Sequence, residues 1–442
     1  MTGEWRETTL WDIADYINGR ATKPSEVCSD GVPVIKIAEL NRGITETTDR
    51  VPPELVEDRH WVNPGDLLFA WSGSVGIYRY NGPKAALNQH IFRVVAKEGI
   101  DQQFLRYLLL SCMPIFNLHV QDKRTTMGHV TIKDLQRIKV QVPPLAEQRA
   151  IAHILGTLDD KIELNRRMSE TLEAIAHALF KAWFVDFEPV RAKLEGRWRR
   201  GHSLPGLPAH LYDHFPNRLV ESELGEIPEG WEVVELGRLI SFEKGKKPTT
   251  TFPTPCEGCL PVILMETFDG STAYYAMSEK MVIAQAHDVL MVMDGASSGR
   301  VETGYHGVVG STIAKIVPSE GSRIGHRFVY YALKTLKPEI GEHLTGTSIP
   351  HADKGWIARQ KVCLPKNGKL LAVFEEIAGQ KRKRIEALRA ESRTLAALRD
   401  ALLPKLIRGE IRVKDAERFL EGKGYEVRPR EASPSQYAPE RV

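Results

Sequence analysis

At 442 residues the chain exceeds one ordinary domain and has room for two to four, each able to bury its own core. Hydrophobic residues at 42% and charged residues at 26% give a globular composition, which sets aside fibrous and low-complexity classes. A net charge of only +3 excludes a uniformly basic coat, so any nucleic-acid binding has to come from local patches.

The opening "MTGEWRETTLWD" lacks the apolar core of a signal peptide, and no run of about 18 apolar residues follows, so a cytoplasmic protein without a membrane segment is expected. Residues 1–143 carry short apolar runs such as "DLLFAW" and "HIFRVV" bounded by Gly, Pro, Asn and Ser, the grammar of strands and turns, with a short helix at "QQFLRYLLLS". After Pro143 and Pro144, apolar residues recur at Ile151, Ile154, Leu155, Leu158 and Ile162 in steps of mostly three and four. This predicts a long amphipathic helix within residues 144–188.

Residues 189–229 are rich in Pro and Gly and read as a solvated linker. They hold a basic run, Arg191, Lys193, Arg197, Arg199 and Arg200, around Trp198, of a kind that also touches phosphates. A second mostly β domain is predicted over 230–366, from "DVLMVM", "TIAKIV" and the helical "HRFVYYALKT". A second long helix over 367–412 presents Phe374, Ile377, Ile385 and Leu388. Residues 413–442 are expected to be a flexible tail.

The two halves repeat each other. "WRETTLWDIADYINGR" from Trp5 answers "WEVVELGRLISFEKGK" from Trp231 at an offset of 226, and "PVIKI" answers "PVILM" at 228. "GDLLFAWSGS" and "HDVLMVMDGAS" align through Asp66 and Asp288 at 222, an offset kept at Ile91 and Ile313 and at Pro143 and Pro365. A duplicated domain follows. Apolar stripes at equivalent places in a repeat should pair, here as antiparallel helices in a two-fold-like arrangement. The predicted class is therefore α+β: two repeated, mostly β domains separated by two long antiparallel coiled-coil helices. A helix over residues 145–182 would measure about 57 Å, against about 34 Å for a turn of duplex DNA, which suits a ruler holding two domains apart, each able to face its own segment of one duplex. An ordinary helical hairpin in a globular core fits the same pattern.

The five cysteines, Cys28, Cys112, Cys256, Cys259 and Cys363, are odd in number and scattered, which argues for a reducing compartment and against a disulfide framework. "CEGC" alone has metal-like spacing. A zinc site needs about four ligands and no second CxxC or HxxxH accompanies it, so two loop cysteines and no metal site are expected. The chain has no phosphate-binding GxxxxGK[ST] loop, no Gly-rich strand-to-helix turn for a dinucleotide or S-adenosylmethionine, and no Asn/Asp-Pro-Pro-aromatic motif for an exocyclic amine. No nucleophile, base and orienting acid can be assembled. No catalytic residues and no cofactor are expected here.

"PPLAEQRAIAHILGTLDDKIELNRRMSETLEAIAHALFKAWFVDFEPVRAK", the linker end "LGEIPEGWEVVELG" and the terminal "LRDALLPKLIRGEIRV" together resemble the specificity (S) subunit of type I restriction-modification systems. The resemblance implies two target recognition domains, each reading one half of a bipartite sequence in double-stranded DNA, with the helices setting the spacer. It also implies docking of two modification (M) subunits, which methylate adenine with S-adenosylmethionine, and association with restriction (R) subunits that use ATP and Mg. The distal helix lacks the "AEQ" of the central one, so the two docking surfaces are expected to differ. The candidates for helix pairing or partner docking are the nine apolar residues named above on the two stripes. A self-contained DNA methyltransferase or nuclease with diverged motifs is one alternative, and a non-catalytic coiled-coil adaptor another.

A DNA reader contacts bases from polar loops and holds phosphates with Arg, Lys and backbone amides. The first domain offers Ser72, Ser74, Arg79, Tyr80, Lys84, Asn88 and Gln89, then Lys123, Arg124, Thr125, Thr126 and His129. In the second, Lys244, Lys246 and Lys247 precede Ser297, Ser298, Arg300, Tyr305, His306, Ser311 and Thr312, with Thr345, Thr347, Ser348 and His351 beyond. The loop sets carry the expectation more than their single members. Differences between the sets, including "CEGC", imply different half-sites.

Overall fold

The computed structural model describes residues 4–121, 128–272, 274–346, 349–422 and 424–425. They fall into two compact units, Met1–Leu164 with Glu391–Val442, and Asn165–Ala390.

The strands of the first unit are β1 (Arg6–Thr9), β2 (Ala14–Asn18), β3 (Val32–Ile35), β4 (Arg50–Val51), β5 (Trp61–Val62), β6 (Leu67–Ala70), β7 (Gly76–Arg79), β8 (Ala85–Leu87), β9 (Ile91–Ala96) and β10 (Lys139–Val142). One antiparallel sheet has the order β2-β9-β6-β7, a second has β4-β3-β8-β5 with β3 and β8 parallel, and β1 pairs with β10. The central β6, "LLFA", is buried at every position, which is why it reads as an unbroken apolar run. β10, "KVQV", alternates exposed and buried.

The second unit repeats this plan. After a hairpin of β11 (Leu219–Ser222) and β12 (Gly225–Pro228) come β13 (Trp231–Glu235), β14 (Ile240–Lys244), β15 (Cys259–Ile263), β16 (Tyr275–Met277), β17 (Ile283–Ala284) and β18 (Val289–Val292). They are followed by β19 (Val301–Thr303), β20 (Gly307–Val309), β21 (Ile313–Pro318), β22 (Leu344–Thr345), β23 (His351–Ala352) and β24 (Lys361–Pro365). Sheets β14-β21-β18-β19 and β16-β15-β20-β17, with β15 and β20 parallel and β13 paired to β24, match the first unit strand for strand. The duplication seen in the sequence is a duplication of topology.

The long helices run Leu145–Phe184 and Lys369–Ile407, and the boundary between the units falls inside both. In the first unit Ile151, Ile154, Leu155 and Leu158 share a core with Leu395, Leu402 and Leu406, and Ile162 packs against it. Arg399 pairs with Asp159 at 2.8 Å and Lys161 with Glu391 at 3.8 Å. In the second, Phe180 and Phe184 meet Phe374 with ring centroids 5.7 and 5.3 Å apart, and Asn165 donates to the Leu388 carbonyl at 3.5 Å. Within each unit one index rises as the other falls, so the segments pair antiparallel. Ile377 is partly buried against the second core, and Ile385 and Leu388 are buried.

Three expectations are corrected. Residues 189–229 are a folded segment rather than a solvated linker: Trp198 is buried, 5.0 Å from Tyr212 and 5.9 Å from Phe215 between ring centroids. Its basic run is paired internally, Arg197 with Glu188 and Glu195, Arg200 with Asp213, and Lys193 over the Tyr212 ring. The supposed tail begins with a helix, Val413–Gly422, whose Ala416 and Leu420 enter the first unit's core. The i, i+3, i+7 spacing of Val413, Ala416 and Leu420 is its signal; residues 426–442 lie outside the described residues. Cys256 and Cys259 form a disulfide, the turn that donates Cys259 N–H to the Cys256 carbonyl having brought their Cα atoms to 5.1 Å. No helix among the described residues is long and apolar enough to cross a membrane.

Candidate nucleic-acid interface

Strand register decides which loop residues meet. β6 pairs Ala70 with Ile91 of β9, and β2 pairs Asn18 with Phe92, so the ends of β2 and β6 and the start of β9 lie together. The loop through His129 joins them: Ser72 bridges His129, Val130 N–H donates to the Trp71 carbonyl at 2.9 Å, and Trp71 N–H to the His90 carbonyl at 3.2 Å. Trp71 is the hub. Its indole donates to Asn18 Oδ1 at 3.3 Å, and its ring centroid is 5.7 Å from His90 and 6.1 Å from His129.

The second unit builds the same end from other chemistry. Asp294 bridges His351, Ala352 N–H donates to the Met293 carbonyl at 2.8 Å, and Met293 N–H to the Thr312 carbonyl at 2.8 Å. Each contact is the first unit's contact moved by 222 positions. In place of an aromatic hub there is an ionic one: His351 Nδ1 lies 2.7 Å from Asp294 Oδ1 and Lys244 Nζ 3.0 Å from Asp294 Oδ2. Partial burial pushes the Asp294 carboxyl up, but the hydrogen bonds and charges of His351 and Lys244 outweigh it and hold it below the usual carboxylate range. Asp294 is an ionised acceptor at neutral pH.

A glycine fixes each cluster. A Cβ on Gly19 would lie 2.2 Å from the Asn88 carbonyl oxygen, and one on Gly245 2.3 Å from that of Gly310. Only glycine permits the approach that sets Asn18 and Lys244 beside the next strand.

The predicted residues divide accordingly. Ser72, Ser74, Gln89 and His129 gather at this end of the first domain, with Asn88 buried and its Oδ1 accepting His90 N–H. Arg79 pairs with Leu67 at the opposite end of β6, so Arg79, Tyr80 and Lys84 do not join them. Tyr80 is buried with its hydroxyl on the Pro83 carbonyl and its pKa pushed up to about 12 by burial, and Lys84 lies 4.3 Å over the Trp61 ring. In the second domain Lys244, Ser297, Ser298, Ser311, Thr312, Thr345 and His351 cluster with Asp294, and Lys246 and Lys247 are exposed just past β14. Ser298 is spent on the carbonyls of Met293, Gly295 and Pro350. Arg300 is spent on Asp269 at 2.8 Å and Glu302 at 3.1 Å. Tyr305 and His306 sit beyond β19 at the far end of β18, Tyr305 against Phe268 and His306 on the Ala284 carbonyl. Lys123, Arg124, Thr125, Thr126, Thr347 and Ser348 lie outside the described residues. Asn18, Trp71, His90 and Asp294 were missed; aligning "INGR" with "FEKGK" and "AWSGS" with "VMDGAS" brings all but His90 to equivalent places.

The nine apolar candidates for pairing or docking are all wholly or partly buried within the chain, so they are not free to receive another subunit. Within the "AEQ" of the central helix, Ala146 is exposed, but Glu147 and Gln148 are engaged inside the unit. Gln148 is 1% exposed, accepts Asp101 N–H at 2.8 Å and donates to the carbonyls of Gly99 and Pro143, while Glu147 takes the Trp5 indole at 3.2 Å.

Residues 2–174 match the family model described as "Type I restriction modification DNA specificity domain". The chain is 24% identical over 437 residues to the "Type I restriction enzyme MjaIX specificity subunit" of Methanocaldococcus jannaschii, covering 93% of this chain and 94% of that one. It is 25% identical over 471 residues to the "Type I restriction enzyme HindI specificity subunit" of Haemophilus influenzae, covering 92% and 100%. The crystal structure of a type I restriction-modification S subunit from M. genitalium shares the fold, with a TM-score of 0.51 at 16% identity over 91% of this chain and 96% of that one. With a duplicated sheet domain and two paired long helices, the chain is similar over more than nine-tenths of its length to type I restriction-modification specificity subunits.

Proposed function

We propose that this chain is the DNA sequence-recognition subunit of a type I restriction-modification complex, each sheet domain reading one half of a bipartite target. The observation that carries the reading is the pair of equivalent loop clusters with unlike side chains: Asn18, Trp71, His90 and His129 in one, Lys244, Asp294, Thr312 and His351 in the other. In the major groove a carboxylate accepts from the cytosine N4 amino group and a Lys donates to guanine O6 and N7. The Asp294 and Lys244 pair suits a G·C step, whereas the set around Trp71 is built from an amide, an indole and two imidazoles, with no carboxylate or lysine. The two half-sites therefore differ.

The two long helices set the spacer and carry the docking surface for two M subunits. Since the main apolar stripes are consumed in the cores, docking falls to outward residues such as Leu164 and Ile175, which are 49% and 47% exposed. Chemistry belongs to the partners: S-adenosylmethionine on M, ATP and Mg on R, with this chain a non-catalytic subunit. The test is to map N6-methyladenine in DNA from cells making this chain with its M subunit. A two-part motif with a fixed gap is expected; a continuous motif, or methylation independent of this chain, overturns the reading.

A further inference from the structure

At the end of β18 away from Asp294, the second domain gathers three groups that no sequence spacing brings to notice. Asp288 is 4% exposed. Its Oδ2 caps the preceding turn by accepting Gln285 N–H at 2.8 Å, as Asp66 does for Asn63 in the first domain. Its Oδ1 is left for two imidazoles, His287 Nε2 at 3.5 Å and His326 Nδ1 at 3.7 Å. The three ligand atoms lie within 4.8 Å of one another. His326 Nδ1 is shut off from solvent without a hydrogen-bond partner.

We propose that His287, Asp288 and His326 form a site for one zinc-type divalent cation. Zinc bonded at about 2.0–2.1 Å to N and O donors has ligand-to-ligand edges of about 3.3 Å in a tetrahedron. The two measured edges exceed that by a few tenths of an ångström. The third closes by a turn of the His287 ring, whose side chain is 57% exposed. Two imidazoles and one carboxylate select zinc and its neighbours over magnesium or calcium, which prefer oxygen. The fourth position opens to solvent through His287 and takes a water. Such an ion would clip the turn before β18 to the start of the helix His326–Thr335.

The first domain shows what the same fold does without the ion. Gly65 stands where the second has His287, and Gln102, first residue of the equivalent ten-residue helix, stands for His326. Gln102 meets its surroundings directly, accepting Ala96 N–H at 2.7 Å and donating to the Val94 carbonyl at 2.8 Å. The repeat thus supplies a variant suited to folding, His326→Gln, and the exposed His287→Ala supplies a second.

Full-length protein free of tags and metal is titrated with Zn²⁺, reading bound zinc per chain by equilibrium dialysis and the melting temperature in parallel. One equivalent should bind and raise the melting temperature of the wild type. Each variant should melt like the metal-free wild type, bind at least roughly tenfold more weakly and lose the rise. No zinc uptake by the wild type overturns the proposal, as does undiminished uptake in both variants, which would place the ion on other histidines.

Discussion

Asp294 shows how strand register alone places one side chain in the proposed reading cluster. It follows a strand buried at every position, so its carboxylate is presented at the sheet's end, where Lys244 and His351 keep it ionised. In the first domain Ser72 stands at that place and the indole of Trp71 organises the cluster instead. Asp294→Asn removes the charge at nearly constant volume. In methylation mapping we expect the half-site read by the second domain to relax at one base pair, by about 1–3 kcal/mol of discrimination, while the other half is unchanged. An intact motif would remove Asp294 from the reading surface. Residues of this kind were poorly legible in the sequence. Loop composition drew attention to Ser72, His129 and His351, yet Tyr80, Ser298 and Arg300 looked equally polar and prove committed inside the fold. Polarity marks a loop, but strand pairing decides which loop ends share a face.

The long helices were the most legible elements, because only a helix keeps apolar residues in steps of three and four over ten turns. Their use was less legible. Periodicity cannot separate a stripe that seals a core from one that receives a partner, and the inward Gln148 shows that even a family-like "AEQ" serves packing here. In the first unit the helices are also fastened by charge. Asp159 accepts from Arg106 at 2.7 Å, Tyr107 at 2.8 Å and Arg399 at 2.8 Å. Burial raises its pKa, but these donors together outweigh burial and hold the folded value below the usual carboxylate range. A depressed folded pKa contributes stability that is fully present above the unfolded value near 4 and is lost as pH falls through the folded value. Asp159→Asn should therefore cost about 1–3 kcal/mol at neutral pH and progressively less below about pH 4. Urea denaturation at a series of pH values checks this; a pH-independent difference would deny the carboxylate its role.

Over the whole molecule the duplication was visible as recurring offsets near 222 to 228, and the structure returns it as identical strand order. What the sequence hid was closure. The 413–422 helix reads as the start of a flexible tail because its signal is confined to three positions, Val413, Ala416 and Leu420, a stripe only two turns long. Leu420→Ala should destabilise the first unit by about 2–4 kcal/mol and leave the second unchanged, as hydrogen exchange followed unit by unit would report. Equal loss of protection in both units would contradict the division.

That closure has a consequence in time. The second unit is one unbroken stretch, Asn165–Ala390, whereas the first needs Leu395, Leu402, Leu406, Ala416 and Leu420 to complete the core around Phe69 and Phe104. As the ribosome extends the chain from its amino end, the domain begun first is finished last. The unit begun second is complete while its sibling still waits for its final helix.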